Sequence, residues 1–199
     1  MRSTWTRAAL SAVALFALSC GRAAAPPVSE VVEEVPPQAS PCEFRKVLEL
    51  EGTEAEVSVP PGETCAAGTF RIHAVAPGGV PQRMERHRDG EIVDAWLVDL
   101  ENDGTQDILI ATRSSGGGSF GGILWFETRV GEFVERPVAD LDDEQRRPYR
   151  GQDTFRVAGG VLYRSFPAYR PGDVLGEPGG GTVEYRFQPS GNRWAASGP

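Results

Sequence analysis

Short runs in which hydrophobic and polar residues alternate follow one another along most of the chain, separated by Gly, Pro, Asn and Asp. In Glu54–Val59 the hydrophobic residues fall on one face, and in Thr69–Val75 they again occupy every second position. A period of two is typical of strands with one buried face. The strands predicted in this way are Phe44–Leu50, Glu54–Val59, Thr69–Val75, Ile92–Val98, Asp107–Thr112, Ile123–Arg129, Glu132–Val138, Thr154–Val157, Val161–Phe166 and Thr182–Gln188.

Turn residues and one short helical pattern complete the predicted fold. Arg129–Glu132 has the length of a tight hairpin, and the charged segment Met84–Gly90 ends in the turn dipeptide Asp-Gly. Asp140–Arg147 has the pattern of a short helix. Short strands at close spacing predict an all-β fold, an antiparallel β-sandwich or barrel-like single domain with at most one short helix. The predicted domain covers residues 42–194, followed by a flexible tail at 195–199.

Composition and charge exclude several classes of function. Of the 199 residues, 40% are hydrophobic and 24% are charged, which is enough for a folded core. Acidic residues outnumber basic ones 28 to 20, and the resulting net charge of -8 argues against nucleic-acid binding, which needs a basic surface. Two histidines, His73 and His87, are too few for a three-histidine zinc site.

The N-terminus has the pattern of an export signal. Arg2 and Arg7 precede an apolar run that is too short to span a bilayer, and this run ends at Cys20. The tetrad Ala17–Cys20 resembles a bacterial lipobox, so residues 1–19 are predicted to be a lipoprotein signal peptide and Cys20 the lipidated residue; a plain secretory signal is the alternative. Gly21 after the cysteine favours the outer membrane, facing the periplasm or the cell surface.

The segment after Cys20 and the remaining cysteines fit an exported protein. Residues 20–41 hold the lipidated cysteine and a stretch rich in Pro and Glu, which predicts a solvated tether; an edge strand over Val28–Val35 is the alternative. Cys42 and Cys65 are left as a pair, which predicts a disulfide in an oxidising compartment. A pair of free thiols is the alternative.

An acidic turn between two predicted strands has the spacing that begins a calcium-binding loop. Its oxygen-bearing side chains fall at the first, third, fifth and ninth loop positions, but Ile110 stands where a bidentate acid is needed. The metal ligands predicted there are Asp99, Glu101, Asp103, Thr105 and Asp107. The pattern favours the other interpretation, an acidic turn that reverses the chain at Asp103-Gly104 without a metal.

The next turn is unusually rich in glycine and serine. It consists of Ser114, Ser115, Gly116, Gly117, Gly118, Ser119, Phe120 and Gly121. The spacing matches both a dinucleotide-binding and a serine-nucleophile pattern, but each requires a helix next, whereas Ile123–Phe126 has the composition of a strand. The pattern therefore predicts a protruding hairpin loop whose serines would hydrogen-bond carboxylates and whose Phe120 would anchor a partner, or else a flexible linker.

Three segments together resemble the bacterial periplasmic inhibitors of invertebrate-type (I-type) lysozyme. The first is Ala95–Gly104 with Ile108–Ile110, and the second is the Ser/Gly loop. The third comprises Tyr149–Phe155, Ser165–Asp173 and Gly179–Thr182. The resemblance covers about Ile92–Gln188, roughly half of the chain.

The resemblance implies a β-rich inhibitor, in a family that is often dimeric, whose Ser/Gly loop enters the lysozyme cleft between two carboxylates. In the family pattern a serine stands in mid-loop and a tyrosine near the loop end. Gly117 and Phe120 occupy these positions here, although Ser119 is retained. Each missing hydroxyl contact with a carboxylate would weaken binding by about 1.5–3 kcal/mol. Tyr169 and Arg170 are predicted to form a neighbouring contact.

The sequence therefore predicts a lipid-anchored, non-enzymatic lysozyme inhibitor of the cell envelope that needs no cofactor, with lysozyme, the membrane and a second copy of the chain as partners. The acidic balance would favour encounter with a basic lysozyme. One alternative is a calcium-binding envelope or adhesion module built on Asp99–Asp107. Another is a hydrolase that uses Ser119.

Overall fold

A computed structural model describes residues 42–197. Antiparallel strands make up almost all of its regular structure. The strands are β1 (Arg45–Leu50), β2 (Thr53–Ser58), β3 (Ala67–Val75), β4 (Gln82–Asp89), β5 (Glu91–Val98), β6 (Asp107–Arg113), β7 (Gly121–Arg129), β8 (Glu132–Arg136), β9 (Thr154–Ala158), β10 (Val161–Pro167), β11 (Thr182–Gln188) and β12 (Arg193–Ala196). One helical turn, α1 (Asp143–Arg146), and a 3-10 turn at Pro189–Gly191 complete the described elements.

The strands form three four-stranded antiparallel meanders, each made of consecutive strands. The first sheet is β1-β2-β3-β4, the middle sheet is β5-β6-β7-β8, and the third sheet is β9-β10-β11-β12. Because neighbours in the sequence are neighbours in the sheet, every connection within a sheet is a hairpin or a longer antiparallel loop. The all-β, antiparallel prediction is confirmed.

The middle sheet lies between the other two and is buried on both faces. Successive side chains of a strand point to opposite faces. On β6, accordingly, Ile108 and Ile110 join the core shared with the first sheet, while Leu109 joins the core shared with the third sheet. On β7, Phe126 joins the core shared with the first sheet, and Trp125 joins the core shared with the third sheet. This double burial explains why the apolar run in β6 is continuous rather than alternating.

The disulfide prediction is confirmed, and the bond joins the residues just before β1 to the loop between β2 and β3. Cys42 and Cys65 are linked across 23 sequence positions. Beside them the fully buried guanidinium of Arg88 donates to the carbonyl oxygens of Thr64, at 2.7 Å, and Thr69, at 3.1 Å. The loop between β2 and β3 is therefore fixed by a covalent link to the start of β1 and by the hydrogen bond from Arg88 of β4.

The structure corrects three of the predicted elements. The charged segment from Met84 is a strand, β4, and its Asp-Gly turn begins only at its end. The strand β12, which the pattern missed, pairs with β11 through Ala196 and so extends past the predicted domain end at residue 194. The helix is confined to Asp143–Arg146, where the Asp142 side chain and Gln145 form a reciprocal capping box.

The predicted signal peptide, the lipidated Cys20 and the Pro/Glu-rich tether lie outside the described residues. Within residues 42–197, no helix has the length and hydropathy needed to cross a bilayer.

Candidate functional site

The Ser/Gly segment is a hairpin loop between β6 and β7, and its two ends are paired. Arg113 and Gly121 face each other in the strand register. The backbone N–H of Ser114 donates to the Phe120 carbonyl at 2.8 Å, and the Phe120 N–H donates back to Ser114 Oγ at 3.0 Å. Nearer the tip, the Ser119 N–H donates to the Gly116 carbonyl at 3.1 Å. These bonds close the loop into a narrow turn of defined shape.

The tip of this loop reaches solvent. Ser115, Gly116 and Gly117 are exposed, and the side chain of Phe120 is 49% exposed. No heavy atom lies within 4 Å of the space that a Cβ on Gly116 or Gly117 would occupy. The loop therefore presents two backbone glycines and a serine on a projection with free space around it.

The base of the loop, in contrast, is docked against the segment Tyr149–Asp153. The Gln152 N–H is shared between the carbonyls of Gly118, at 3.2 Å, and Ser119, at 3.1 Å. Gly151 has a φ of +95°, and a Cβ there would collide with the Gly118 carbonyl. Only glycine permits this approach of two backbones.

Asp153 is the centre of the docking contact. Its side chain is 0% exposed. One carboxylate oxygen accepts from the Gly121 N–H at 2.7 Å and from the Tyr149 hydroxyl, and the other accepts from Nε of Arg164 at 2.7 Å. A buried carboxylate needs such partners, because leaving it unpaired costs several kcal/mol. Asp153 thus joins the loop, the segment that supports it and strand β10.

Aromatic contacts continue the support into the core. The rings of Phe120 and Tyr149 meet edge to face at 5.7 Å, and Tyr149 meets Phe166 in the same way at 4.7 Å. Burial, together with the hydrogen bond to the negatively charged Asp153, raises the pKa of Tyr149 well above its usual range, while the Arg164 guanidinium acts in the opposite direction. Tyr149 is therefore a neutral hydrogen-bond donor throughout the physiological pH range.

The second predicted contact, Tyr169–Arg170, begins the loop between β10 and β11. The side chain of Tyr169 is 8% exposed, and its hydroxyl accepts from the Gly176 N–H at 3.0 Å. Its own N–H donates to the Pro148 carbonyl at 2.9 Å. Tyr169 thus supports this second loop from beneath, whereas Arg170 is exposed beside it. A role of either residue in partner binding stays a prediction.

Exposed arginines adjoin the Ser/Gly loop in spite of the acidic composition of the chain. Arg113 precedes the loop and is paired with Glu91. Arg147 and Arg150 lie in or beside the segment that supports the loop base, Arg170 begins the β10–β11 loop, and all three are exposed, as are the acidic Asp142, Asp143 and Glu144 near Arg147. Within the described part of the chain these three arginines form no ion pair with an acidic side chain. Near the loop base, therefore, exposed arginines without an acidic partner are available to a carboxylate on a partner surface, beside acidic residues of the helical turn.

The acidic turn between β5 and β6 uses its side chains to hold its own backbone. The Asp99 carboxylate accepts from the N–H groups of Asp103, at 3.0 Å, and Gly104, at 2.9 Å. Asp103 accepts from the Thr105 N–H at 2.8 Å, and Glu101 pairs with Arg136 at 3.5 Å. Calcium would have to compete with these internal bonds; its binding stays a prediction.

Asp107, the last of the predicted metal ligands, is buried beneath the turn. Its carboxylate accepts from the indole N–H of Trp125 at 2.7 Å and from the Leu100 N–H at 2.9 Å. Burial raises its pKa to about 6, although both hydrogen bonds act to lower it. Asp107 therefore fixes the acidic turn to the middle sheet.

The two enzyme-like patterns in the loop do not acquire their structural context. Gly121 begins strand β7 directly after the loop, so that no helix follows within hydrogen-bonding reach of a phosphate or behind a serine nucleophile. His73 and His87 lie on β3 and β4 of the first sheet. What the loop offers chemically is a set of hydroxyl and backbone donors on a rigid base.

Sequence reasoning missed the docking group itself. The family motif contains Tyr149, Gln152 and Asp153 but assigns them no role, and no sequence pattern marks Arg164. The available signal is within that motif, where Gly151 and Asp153 lie between the aromatic residues Tyr149 and Phe155.

Comparison with known proteins gives one weak likeness. No protein-family profile and no curated protein sequence matches the chain. A solved structure, the periplasmic inhibitor of I-type lysozyme PliI-Ah from Aeromonas hydrophyla, aligns with 25% identity and a TM-score of 0.40, over 50% of this chain and 94% of that chain. The function of the chain has to be argued from its own residues.

Proposed function

We propose that the protein is a non-enzymatic inhibitor of a lysozyme-type muramidase, and that Ser114–Gly121 is the loop that enters the active-site cleft. The observation that carries the proposal is the contrast within this loop. Its tip at Ser115–Gly117 is exposed, while its base is fixed by Asp153 and Gln152. A projection that is already ordered loses little conformational freedom on binding, so more of its contact energy appears as affinity.

The chemistry of the tip fits a cleft that holds two catalytic carboxylates. Serine hydroxyls and free backbone N–H groups donate hydrogen bonds to carboxylate oxygens. Glycine at positions 116 and 117 keeps the projection thin enough for a groove built for a polysaccharide chain. The basic side chains that adjoin the loop would meet the acidic rim of such a groove.

The resemblance of Ile92–Gln188 to the I-type lysozyme inhibitors supports the same function, and in this interpretation lysozyme is the partner. Anchoring through a lipid on Cys20 would keep the inhibitor in the cell envelope, where lysozyme attacks. Partition of the full-length protein into detergent, lost in Cys20→Ala, would support the anchor. Equal partition of both forms would reject it.

Inhibition assays test the proposal directly. We expect purified residues 21–199, which include all of the described residues 42–197, to slow the lysis of bacterial cell walls by at least one class of lysozyme. A variant that lacks Gly116 and Gly117 should lose this effect. Val130→Ser, in the exposed turn between β7 and β8, is the control and should inhibit like the unchanged protein.

A gain of inhibition would be still more specific. Gly117→Ser has open space for its side chain, and Phe120→Tyr adds a hydroxyl to a half-exposed ring. Together these changes restore the hydroxyls of the family pattern, and we expect inhibition to become at least about tenfold stronger, because each charge-assisted bond contributes about 1.5–3 kcal/mol. Failure of the starting protein and of this double variant to inhibit any lysozyme class would refute the proposal.

A further inference from the structure

A small pocket opens at the foot of the Ser/Gly loop, between Phe120 and Arg146. It has a volume of about 220 Å³. The residues that line it are Phe120, Gly121, Asp140, Leu141, Arg146, Tyr149 and Arg164. Neither the loop tip nor the acidic turn takes part in it, and nothing in the proposed function requires it.

The guanidinium of Arg164 gives this pocket its chemistry. The side chain is only 8% exposed, and its Nε is committed to Asp153 at 2.7 Å. The guanidinium lies 5.0, 5.7 and 5.8 Å from the ring centres of Tyr149, Phe155 and Trp194, and it interacts with the Tyr149 hydroxyl strongly enough to act against the rise in the pKa of that group. Arg164 also lines the pocket, so a ligand there would meet a guanidinium whose carboxylate partner, Asp153, is bound through Nε.

A second guanidinium stands at the rim. Arg146 donates through Nη2 to the Leu141 carbonyl at 2.9 Å, and it lies 3.8 Å from the exposed Asp140 carboxylate. Of the acidic groups in this region, Asp153 is already paired with Arg164 behind the pocket, and Asp140 is largely in solvent. Two guanidinium groups therefore line one cavity, and the carboxylate of Asp140, the acidic residue that also lines it, is largely in solvent.

The lining of the cavity fits a small planar anion, such as a carboxylate, that is attached to a short apolar chain. Arginine presents its donors in a fixed fork that matches the two oxygens of a carboxylate. Phe120 and Tyr149 meet edge to face here, so they offer an apolar wall rather than a flat platform for a sugar ring. The volume suits the end of one side chain.

We infer that this pocket receives the carboxylate of an acidic side chain from a bound protein partner. The pocket lies against Phe120, so a protein that holds the loop in its cleft would bring its own cleft rim to this position. The identity of that partner rests on the proposed function, whereas the chemistry of the pocket does not. A pocket that binds carboxylate in a protein that inhibits no lysozyme would leave this inference standing.

Nuclear magnetic resonance titration of residues 21–199 tests the pocket without any partner. Propionate mimics a glutamate side chain, and propionamide is its uncharged match of nearly equal shape. We expect propionate to shift the Gly121 amide and the Arg164 Nε–H signals in a saturable way. Propionamide should leave both signals in place. Equal shifts from both compounds, or none from propionate, would overturn the inference.

Two neighbouring arginines provide matched variants. Arg146→Gln should weaken propionate binding by about fivefold, the effect of one partly exposed charge pair. Arg147→Gln, whose side chain does not line the pocket, should leave the affinity unchanged. N-acetylmuramic acid, a sugar that carries a carboxylate, is the second ligand. If it saturates the pocket at concentrations where propionate gives no shift, the occupant is a sugar acid and the assignment to a protein side chain is wrong.

Discussion

Asp153 connects chain segments that are far apart in the sequence. Its carboxylate accepts hydrogen bonds from Gly121, from Tyr149 and from Arg164 on β10. Each partner is itself at least partly buried, so solvent does not replace a bond that is lost. The shape of the loop base therefore depends on a single ionised side chain.

Replacement of this carboxylate gives the first prediction. Asp153→Asn leaves the Arg164 guanidinium buried without a counter-charge, and we expect a loss of about 3–5 kcal/mol in the free energy of unfolding, measured by urea titration. Asp140→Asn is the control, because the Asp140 side chain is exposed at the rim of the same pocket. Equal midpoints for the two variants would show that Asp153 does not hold the loop base.

From the buried carboxylate of Asp107 we predict that the stability of the protein depends on pH. Burial raises the pKa of Asp107 to about 6, against about 3.9 in an unfolded chain. Between these values the native protein retains a proton that the unfolded chain has released, so this group lowers stability as pH rises from about 4 to about 6.

The measurement is the difference in urea midpoint between Asp107→Asn and the unchanged protein across this interval. The asparagine cannot ionise, so the urea midpoint of the variant should rise relative to that of the unchanged protein as pH rises. This trend is expected even if the amide accepts the hydrogen bond from the Leu100 N–H less well than the carboxylate does. Asp103→Asn, in the exposed part of the same turn, should show no such trend. A constant difference between Asp107→Asn and the unchanged protein would contradict the assignment.

At the scale of elements, the region of the Cys42–Cys65 disulfide lies near the start of the Ser/Gly loop at Arg113. Glu91 pairs with Arg113 at the start of the loop and lies 4.0 Å from Cys42 Sγ. A Cβ on Gly90 would collide with the Arg113 carbonyl. The first sheet thus abuts the loop base, although the resemblance to known inhibitors does not extend to it.

Loss of the disulfide is therefore expected to lower stability. The double variant Cys42→Ser/Cys65→Ser should lose about 3 kcal/mol, because the unfolded chain regains the freedom of the closed loop. Reduction of the unchanged protein should lower its urea midpoint to that of the variant. If reduction has no effect on the midpoint, the disulfide contributes nothing to the native state.

The elements differ in how far the sequence could reveal them. Strands with one apolar face, such as β2 and β3, follow directly from their alternation. β4 was missed because its side chains are charged on both faces, and one of them, Arg88, is buried through hydrogen bonds that no periodicity reveals. β12 is only four residues long.

The candidate site shows the same limit. Glycine and serine content indicated the loop, and the structure confirms that its tip is exposed. Its rigid base could not be predicted, because the bond from Gly121 to Asp153 spans 32 positions and depends on tertiary packing. The pocket beneath it likewise needs Arg146 and Tyr149, at and just after the end of α1, to meet Arg164 of β10.

At the scale of the whole molecule, charge is unevenly placed. The chain has a net charge of -8, yet Arg147 and Arg150 are exposed beside the segment that supports the loop and form no ion pair within the described residues. Net charge governs long-range attraction, whereas local complementarity governs the bound complex. The arginines should therefore contribute to binding even if the whole protein is attracted to a basic lysozyme.

Charge reversal separates the two effects. Arg150→Glu, beside the loop base, should weaken inhibition by about tenfold or more through repulsion from cleft carboxylates. Arg86→Glu, an exposed residue of β4, changes the net charge equally and should leave inhibition almost unchanged. Equal losses in both variants would mean that only the overall charge matters.

Competition with substrate tests most directly whether the loop occupies a lysozyme cleft. Binding of the protein to an inhibited lysozyme would be measured by fluorescence anisotropy while an oligosaccharide of N-acetylglucosamine is added. If the loop fills the cleft, the apparent dissociation constant should rise linearly with the oligosaccharide concentration, from its value without sugar. An apparent constant that stays unchanged while the cleft is saturated with sugar would contradict the account.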